Sequence, residues 1–251
     1  MSDFRALHAQ GRFLVLPNVW DAGTARLAER AGAAAVATSS AALAWSRGYP
    51  DGERIPFDEL GDVVRSIVRT VRVPVSVDLE SGHVSADRSM RDVAGALGDW
   101  GVAGVNLEDG AVGCDDAARR IGALREAGSD LFVNARVDLF LHGSHDDPLN
   151  ETVRRMGLYE RAGADGIFVP GALDAATIEK LARASSLPLN VWPIRNAPLA
   201  AVRDAGARRV TFGPQPCLLA WSTLRARVHA WLGASDSSDL TYASANELFA
   251  R

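Results

Sequence analysis

The sequence predicts an α/β fold of the TIM type, a (β/α)8 barrel formed by one domain over residues 1–251. The first observation is that eight apolar, strand-like runs alternate with helical stretches along the chain. The second is the tripeptide Ala-Gly-Ala at 31–33, 162–164 and 205–207, where glycine can end a helix just before a strand. Parallel strands need helical crossovers, and eight of them close into a barrel, typically of about 250 residues. A doubly wound open sheet is the alternative.

Each predicted element follows from its pattern of apolar residues. The strands are Phe13–Leu16, Ala34–Ser39, Val73–Leu79, Gly104–Leu107, Leu131–Val137, Gly166–Val169, Leu187–Val191 and Arg209–Phe212. The helices between them are Ala22–Ala31, Phe57–Thr70, Ser89–Trp100, Asp115–Ala127, Asn150–Ala162, Ala175–Ala184 and Leu199–Ala205. A helical extension over residues 218–251 follows, with a long helix Leu218–Leu232, a Ser/Asp-rich break and a tail Ser244–Arg251. Exposed tryptophans on that helix would indicate a subunit contact.

The composition favours a small-molecule partner in the cytoplasm. The net charge is −4 and the basic residues are scattered, which argues against nucleic acid and against an anionic membrane surface. No apolar run is long enough to span a membrane, and two cysteines are too few for a disulfide framework. The single lysine, Lys180, falls within a predicted helix, so a Schiff-base aldolase is excluded on chemical grounds.

Three polar runs close predicted strands, and the carboxyl ends of barrel strands are where such folds carry their chemistry. They are Asp78-Leu79-Glu80, Asn106-Leu107-Glu108-Asp109 and Asn134-Ala135-Arg136. Asp78 and Glu80 share one side of a strand, and buried carboxylates are costly unless something binds them. With Glu108 they predict an oxygen-ligated metal site for Mg²⁺, or for Mn²⁺ in its place. An ion-pair network with Arg136 is the structural alternative.

Other polar residues at this edge suit a carboxylate substrate. Arg136 can hold a carboxylate in a bidentate fork, and Asn134 either assists it or satisfies backbone groups. Ser39, Ser40 and Ala41 open a helix, where free N–H groups suit a carboxylate or an oxyanion, although helix capping explains them equally well. The turn-rich segment 48–53, which contains Asp51, reads on its own as a surface loop.

These motifs together resemble the isocitrate lyase/phosphoenolpyruvate mutase superfamily. The matching segments are Leu16-Pro17-Asn18-Val19-Trp20-Asp21-Ala22, Thr38-Ser39-Ser40, Gly48-Tyr49-Pro50-Asp51-Gly52-Glu53, Asp78-Leu79-Glu80-Ser81-Gly82, Asn106-Leu107-Glu108-Asp109-Gly110 and Asn134-Ala135-Arg136. The resemblance implies a (β/α)8 barrel with a helix swapped between subunits of a homodimer or homotetramer. It also implies a Mg²⁺-dependent site that makes or breaks a bond beside a carboxylate through an enolate like that of pyruvate.

The resemblance also implies roles for individual residues. Asp78 resembles the principal metal carboxylate, whereas Asp51, Glu80 and Glu108 resemble its water-mediated shell. Arg136 resembles the arginine that binds the substrate carboxylate. The segment 39–41 resembles the one that holds the enolate and carboxylate oxygens.

The sequence departs from the family pattern at several positions, and these departures reduce the number of activities expected of it. The loop 110–116 lacks the Lys-Lys-Cys-Gly-His motif of isocitrate and methylisocitrate lyases, so those two activities are not expected. It also lacks the polar and basic groups with which phosphonopyruvate-type members handle phosphoryl. His83 stands where the family has tyrosine, and it is either a proton donor or a solvated loop residue. Cys114 either replaces the lost catalytic cysteine or is inert, since no base flanks it.

The sequence therefore predicts a Mg²⁺-dependent carbon–carbon lyase acting on a small 2-oxo or 2-hydroxy carboxylate through a pyruvate-enolate-like intermediate. Asp51, Glu108, Arg136 and His83 are its candidate catalytic residues. A phosphonopyruvate or oxaloacetate hydrolase or mutase is one alternative. A catalytically degenerate barrel that binds a carboxylate metabolite is another.

Overall fold

The computed structural model describes residues 4–9, 11–128, 130–143, 145–193, 197–234 and 239–250. Nine strands form one parallel sheet in the order β1-β9-β8-β7-β6-β5-β4-β3-β2. They are β1 (Leu14–Val15), β2 (Asn18–Val19), β3 (Val36–Thr38), β4 (Val75–Asp78), β5 (Gly104–Glu108), β6 (Phe132–Arg136), β7 (Gly166–Leu173), β8 (Leu189–Pro193) and β9 (Arg209–Val210).

The sheet closes into a barrel because β1 and β2 are two parts of one strand. Leu16 N–H donates to the Val210 carbonyl of β9, and the Pro17 carbonyl accepts from Ala37 of β3. The chain thus changes pairing partner at Pro17, which has no N–H to donate. Counting β1 and β2 together, the described strands form the predicted (β/α)8 barrel. The predicted first strand, Phe13–Leu16, was too short because it missed β2.

The helices cover the outside of the barrel. They are α1 (Ala22–Arg30), α2 (Ser40–Ser46), α3 (Phe57–Thr70), α4 (Met90–Trp100), α5 (Cys114–Glu126), α6 (Leu139–His142), α7 (Pro148–Ala162), α8 (Ala175–Ala184), α9 (Leu199–Asp204), α10 (Gln215–Leu232) and α11 (Tyr242–Glu247). The sequence did not predict α6, and it placed only a tail where α11 lies. No helix among the described residues is both long and apolar enough to cross a membrane.

Alternation along the strands separates two cores. In β4 and the residue after it, Val75, Val77 and Leu79 pack outward against the helices, whereas Ser76 and Asp78 face the barrel interior. A second apolar cluster fills the interior at the amino-terminal end of the strands, and it includes Phe4, Leu14, Leu16, Ala35, Ala37 and Phe132. The polar side chains are therefore left for the opposite, carboxyl-terminal end of the barrel.

The carboxyl-terminal helices pack on the barrel that precedes them. Trp221 of α10 lies between Trp45 and Phe249, with ring centroids 6.3 and 6.1 Å away. Trp231 instead exposes 71% of its surface, with Leu219 and Leu224 exposed on the same helix. Trp231 is thus an exposed tryptophan of the kind expected at a subunit contact. The subunit contact and the helix swap between subunits stay predictions.

His8 closes the amino-terminal end of the barrel. Its ring stacks on Phe132 with centroids 4.0 Å apart, and its Nδ1 lies 2.9 Å from the Phe4 carbonyl oxygen. Burial, with a smaller contribution from the guanidinium of Arg209, lowers the pKa of His8 from 6.5 to about 4. The folded protein therefore keeps this imidazole neutral in mild acid.

The neutral His8 should make stability depend on pH. Between pH 6.5 and about 4 the unfolded chain protonates His8 and the folded chain does not. The free energy of unfolding should therefore fall by up to about 3 kcal/mol from this group as pH drops through that window. Urea unfolding of His8→Leu should show a smaller fall than wild type, whereas exposed His145→Leu should match wild type. Equal falls in all three proteins would contradict the assignment.

Candidate active site

A cavity of about 530 Å³ opens at the carboxyl-terminal edge of the barrel. Its volume is within the range of roughly 300–1,000 Å³ that small-molecule sites occupy. Polar and small residues from β2 to β9 line one part of it. They are Asn18, Ser39, Ser40, Ala41, Asp51, Gly52, Asp78, Glu80, Asn106, Glu108, Arg136, Asp138, Thr211 and Gly213. Most of the site residues expected from the sequence are therefore neighbours here, and Asn134 and His83 are the two outside the lining.

Asp78 lies at the centre of the polar wall. Its backbone N–H donates to Thr38 Oγ1 over 2.9 Å, which fixes the end of β4 against β3. Its carboxylate accepts from Asn106 Nδ2 at 3.3 Å and from Ser40 N–H at 3.2 Å. Ser39 meanwhile caps α2, so the capping role considered for this segment is present beside its place in the cavity.

Glu80 and Glu108 flank Asp78 in a crowded group of acids. Burial, then the nearby carboxylates of Asp51 and Asp78, raises the pKa of Glu80 to about 9. Burial also raises the pKa of Glu108 to about 8, although Arg136 acts in the opposite direction. Each buried charge here makes the next one more costly, so a bound cation would relieve the whole group.

The acids fit a hydrated divalent cation. Asp51 Oδ1 is buried without a hydrogen-bond partner, and burial followed by the charge of Asp78 raises the pKa of this carboxyl. Within the described ranges, no three acid, histidine or cysteine side chains lie close enough to hold an ion by themselves. Asp78, Glu80 and Glu108 are therefore not arranged as three direct ligands. Mg²⁺ commonly keeps several waters and takes only one or two carboxylates, which suits this arrangement.

Arg136 stands at the end of β6, beside Glu108 and close to Asp78. Its Nη1 lies 2.7 Å from Glu108 Oε2 and 3.9 Å from Asp78 Oδ1, and its Nε lies 2.6 Å from Asp138 Oδ1. The ion-pair network considered from the sequence is therefore present. Because Arg136 also lines the cavity, the same network presents its guanidinium to a ligand.

A buried layer supports these groups from below. Asp109 accepts from Arg155 Nη1 at 2.8 Å, from the Tyr159 hydroxyl at 2.6 Å and from the Asp138 backbone N–H at 3.1 Å. It thereby fixes Asp138 beside Arg136. Asp109 is part of a motif noted in the sequence, but no role could be predicted for it because Arg155 and Tyr159 lie on α7, far along the chain.

Asn134 belongs to the layer below the cavity. Its Nδ2 donates to Asn106 Oδ1 at 2.8 Å, and Arg209 Nη2 donates to the same oxygen at 3.3 Å. Asn106 in turn donates to Asp78. In this structure Asn134 thus acts on the site through Asn106, and the expected direct contact with substrate stays a prediction.

His83 lies behind the acids. It adopts a left-handed backbone conformation, with φ of 51°, and its Nε2 is 3.9 Å from Glu80 Oε1. Its ring faces Phe57 in a separate surface groove that also contains Arg88. Burial lowers its pKa. Cys114 is also outside the cavity lining, at the start of α5, where Arg154 Nη2 donates to its sulfur over 3.3 Å.

The sequence did not identify Tyr242 as part of the site. Its hydroxyl donates to Asp51 Oδ2 over 2.8 Å, and the side chain lines the cavity. Asn246, one turn further along α11, accepts from the Asp51 backbone N–H at 2.7 Å and from Trp45 Nε1 at 3.0 Å. The capping box of Thr241 and Ser244 is a sequence signal for the start of a helix here. No sequence signal shows where on the barrel that helix packs.

Tyr242→Phe should weaken Mg²⁺ binding by roughly tenfold, as losses of groups that orient metal ligands typically do. Without the hydroxyl, Asp51 loses its fixed orientation toward the acids. Mg²⁺ affinity measured by calorimetry checks this. Tyr49→Phe is a matched control because Tyr49 also donates to a carboxylate, Glu59 Oε1 at 2.7 Å, away from the cavity. Equal affinities in both variants would show that Asp51 needs no support from α11.

The fold and the cavity together define a class of site. Carboxylates suited to a hydrated divalent cation lie beside an arginine suited to a carboxylate, at the catalytic edge of a (β/α)8 barrel. The chain belongs to the phosphoenolpyruvate phosphomutase family, whose model matches residues 4–232. It is thus an enzyme of the isocitrate lyase/phosphoenolpyruvate mutase superfamily, and the fold and family expected from the sequence are confirmed.

Individual relatives support this assignment. An uncharacterised protein of Mycobacterium tuberculosis is 33% identical over 94% of this chain and 90% of its own length. The 2-methylisocitrate lyase of Aeropyrum pernix is 30% identical over 83% of this chain and 72% of its own. A Burkholderia cenocepacia structure assigned provisionally as a phosphonomutase is 43% identical, with a TM-score of 0.82 over 90% of this chain and 97% of its own.

The fold is also that of a more distant structure. Phosphonopyruvate hydrolase in complex with oxalate and Mg²⁺ is 23% identical, with a TM-score of 0.81 over 98% of this chain and 93% of its own. At this identity the likeness concerns the fold alone.

Proposed function

We propose that the protein is a Mg²⁺-dependent carbon–carbon lyase that acts on a small 2-oxo or 2-hydroxy carboxylate through a pyruvate-enolate-like intermediate. One observation carries the proposal. One wall of the cavity carries the acids Asp51, Asp78, Glu80 and Glu108, and Arg136, which can bind a carboxylate, lines the same cavity beside them. When bound, Mg²⁺ supplies a Lewis acid for oxygens that become negatively charged as the bond breaks.

Different residues of the chain bind the substrate carboxylate, the metal ion and the enolate oxygens in this proposal. Arg136 holds the substrate carboxylate, and Glu108 and Asp138 keep its guanidinium in place. Asp78 is the principal metal carboxylate, with Asp51, Glu80 and Glu108 around it as acceptors for bound water. The polar groups of Ser39, Ser40 and Ala41 stabilise the enolate oxygens.

Calorimetric titration with oxalate, a planar mimic of pyruvate enolate, tests the proposal. We expect oxalate to bind in the presence of Mg²⁺ and to lose its affinity in EDTA. Binding of equal strength in both buffers would indicate a barrel that merely holds carboxylates. Absence of binding in both would exclude an enolate mechanism.

A further inference from the structure

The cavity has two unlike walls. The acids and Arg136 come from β4 to β6 and the loop that contains Asp51. Among the described residues, the facing wall comes from α6, β7, β8, the turn after β9, and α11, and its surface is largely apolar. It consists of Leu141, Phe168, Pro170, Trp192, Pro214 and Tyr242. The mechanism proposed above gives this apolar surface no contact with the substrate.

Alternation along β7 fixes part of the second wall. Ile167 and Val169 pack outward into the core beneath the helices, so Phe168 and Pro170 face the cavity. Phe168 lies beside Arg136, whose guanidinium carbon is 5.8 Å from the ring centroid. The apolar wall therefore begins next to the carboxylate-binding group.

Trp192 extends the wall across the end of β8. Gly213 has φ of +53°, and a Cβ at this glycine would come within 3.0 Å of the indole. A side chain at position 213 would thus be strained by the positive φ and would require the indole to shift slightly. Glycine there lets the turn after β9 pack closely against Trp192.

Two further residues bring apolar surface to the rim. Leu141 exposes 40% of its surface and Tyr242 exposes 47%, and both line the cavity. Apolar surface left open beside a crowded group of acids is a recognition surface of the kind found in ligand pockets. A charged substituent packed against it would lose part of its solvation shell.

We infer that the substrate carries an apolar alkyl or aryl substituent at the end remote from the carboxylate that Arg136 binds. This substituent packs between Trp192, Phe168 and Leu141. The inference rests on the proposed function for the carboxylate end and adds the substrate class. It favours substrates with an alkyl or aryl chain over those with a second carboxylate at the remote position.

Three probes with one common head test the inference. Oxamate has no substituent, N-isobutyloxamate carries a branched alkyl group, and N-oxalylglycine carries a carboxylate of nearly the same shape in its place. With Mg²⁺ present, we expect N-isobutyloxamate to bind at least about tenfold tighter than oxamate, since each buried methylene is worth about fourfold. N-oxalylglycine should bind no tighter than oxamate. Tighter binding of N-oxalylglycine than of N-isobutyloxamate would overturn the inference.

Variants of the apolar wall test which side chains contribute to the gain in affinity from the isobutyl group. Trp192→Ala and Leu141→Ser should each reduce the ratio of the oxamate and N-isobutyloxamate dissociation constants, by about fivefold and threefold respectively. Leu141 is partly exposed, so its variant should fold even if Trp192→Ala does not. Trp231→Ala removes an exposed indole on α10, outside the cavity lining, and should leave the ratio unchanged.

Different results would contradict the proposed function and the inference of an apolar substituent. If neither oxalate nor oxamate binds with Mg²⁺, the proposed function is wrong and the inference falls with it. If both bind but the isobutyl group adds nothing, the carboxylate end stands and the inference alone is wrong. An isobutyl gain that survives in both Trp192→Ala and Leu141→Ser would also contradict it.

Discussion

Asp78→Asn is expected to weaken Mg²⁺-dependent binding of oxalate at least about 100-fold. Asparagine keeps the shape of the side chain but removes the charge that a hard cation requires. Loss of a group that only orients a metal ligand already costs about 10–100-fold, so loss of the principal carboxylate should cost at least that much. Calorimetry with oxalate at a fixed, high Mg²⁺ concentration measures the change.

The variant should fold, because the Asp78 backbone N–H still donates to Thr38 Oγ1. Thermal unfolding without Mg²⁺ verifies this separately. Asp62→Asn is the matched control, since Asp62 is exposed on α3 and pairs with Arg65 at 2.7 Å. A loss of less than about tenfold in Asp78→Asn would mean that another of the acids holds the cation.

The core of the site could be predicted from the sequence because parallel strands impose it. Asp78, Glu108 and Arg136 end or closely follow neighbouring apolar runs, and strand alternation brings such residues to one edge of a barrel. The register pairs Glu108 with Arg136 directly. Backbone geometry alone thus accounts for the juxtaposition, and side-chain packing adds little to it.

Two features could not be predicted, for different reasons. Tyr242 and Asn246 approach Asp51 across 191 and 195 positions of the chain, and no local pattern encodes a contact of that range. His83 was a candidate catalytic residue because it stands where the family has tyrosine, with a solvated loop residue as the alternative. Left-handed conformations at Glu80, Gly82 and His83, with φ of 52°, 117° and 51°, turn the chain so that the imidazole lies behind the acids.

Of the variants considered, Arg136→Met should produce the largest loss of stability, about 3–5 kcal/mol in the free energy of unfolding. The variant leaves Glu108 and Asp138 buried without the guanidinium that now lies 2.7 and 2.6 Å from them. Arg136→Lys should recover only part of the loss, because a single ammonium cannot reproduce the fork that reaches both acids. Urea unfolding at pH 7 measures these differences, and Arg136→Met should also lose oxalate binding.

Arg183→Met provides the control, since Arg183 pairs with Glu179 on the exposed surface of α8. Exposed pairs are worth about 1 kcal/mol at most, so this variant should be nearly neutral. If the loss in Arg136→Met comes from unpaired buried charge, Arg136→Met combined with Asp138→Asn should regain stability relative to Arg136→Met alone. Additive losses in the double variant would instead mean that Arg136 stabilises the barrel through packing, for example against Phe168, and that charge pairing contributes little.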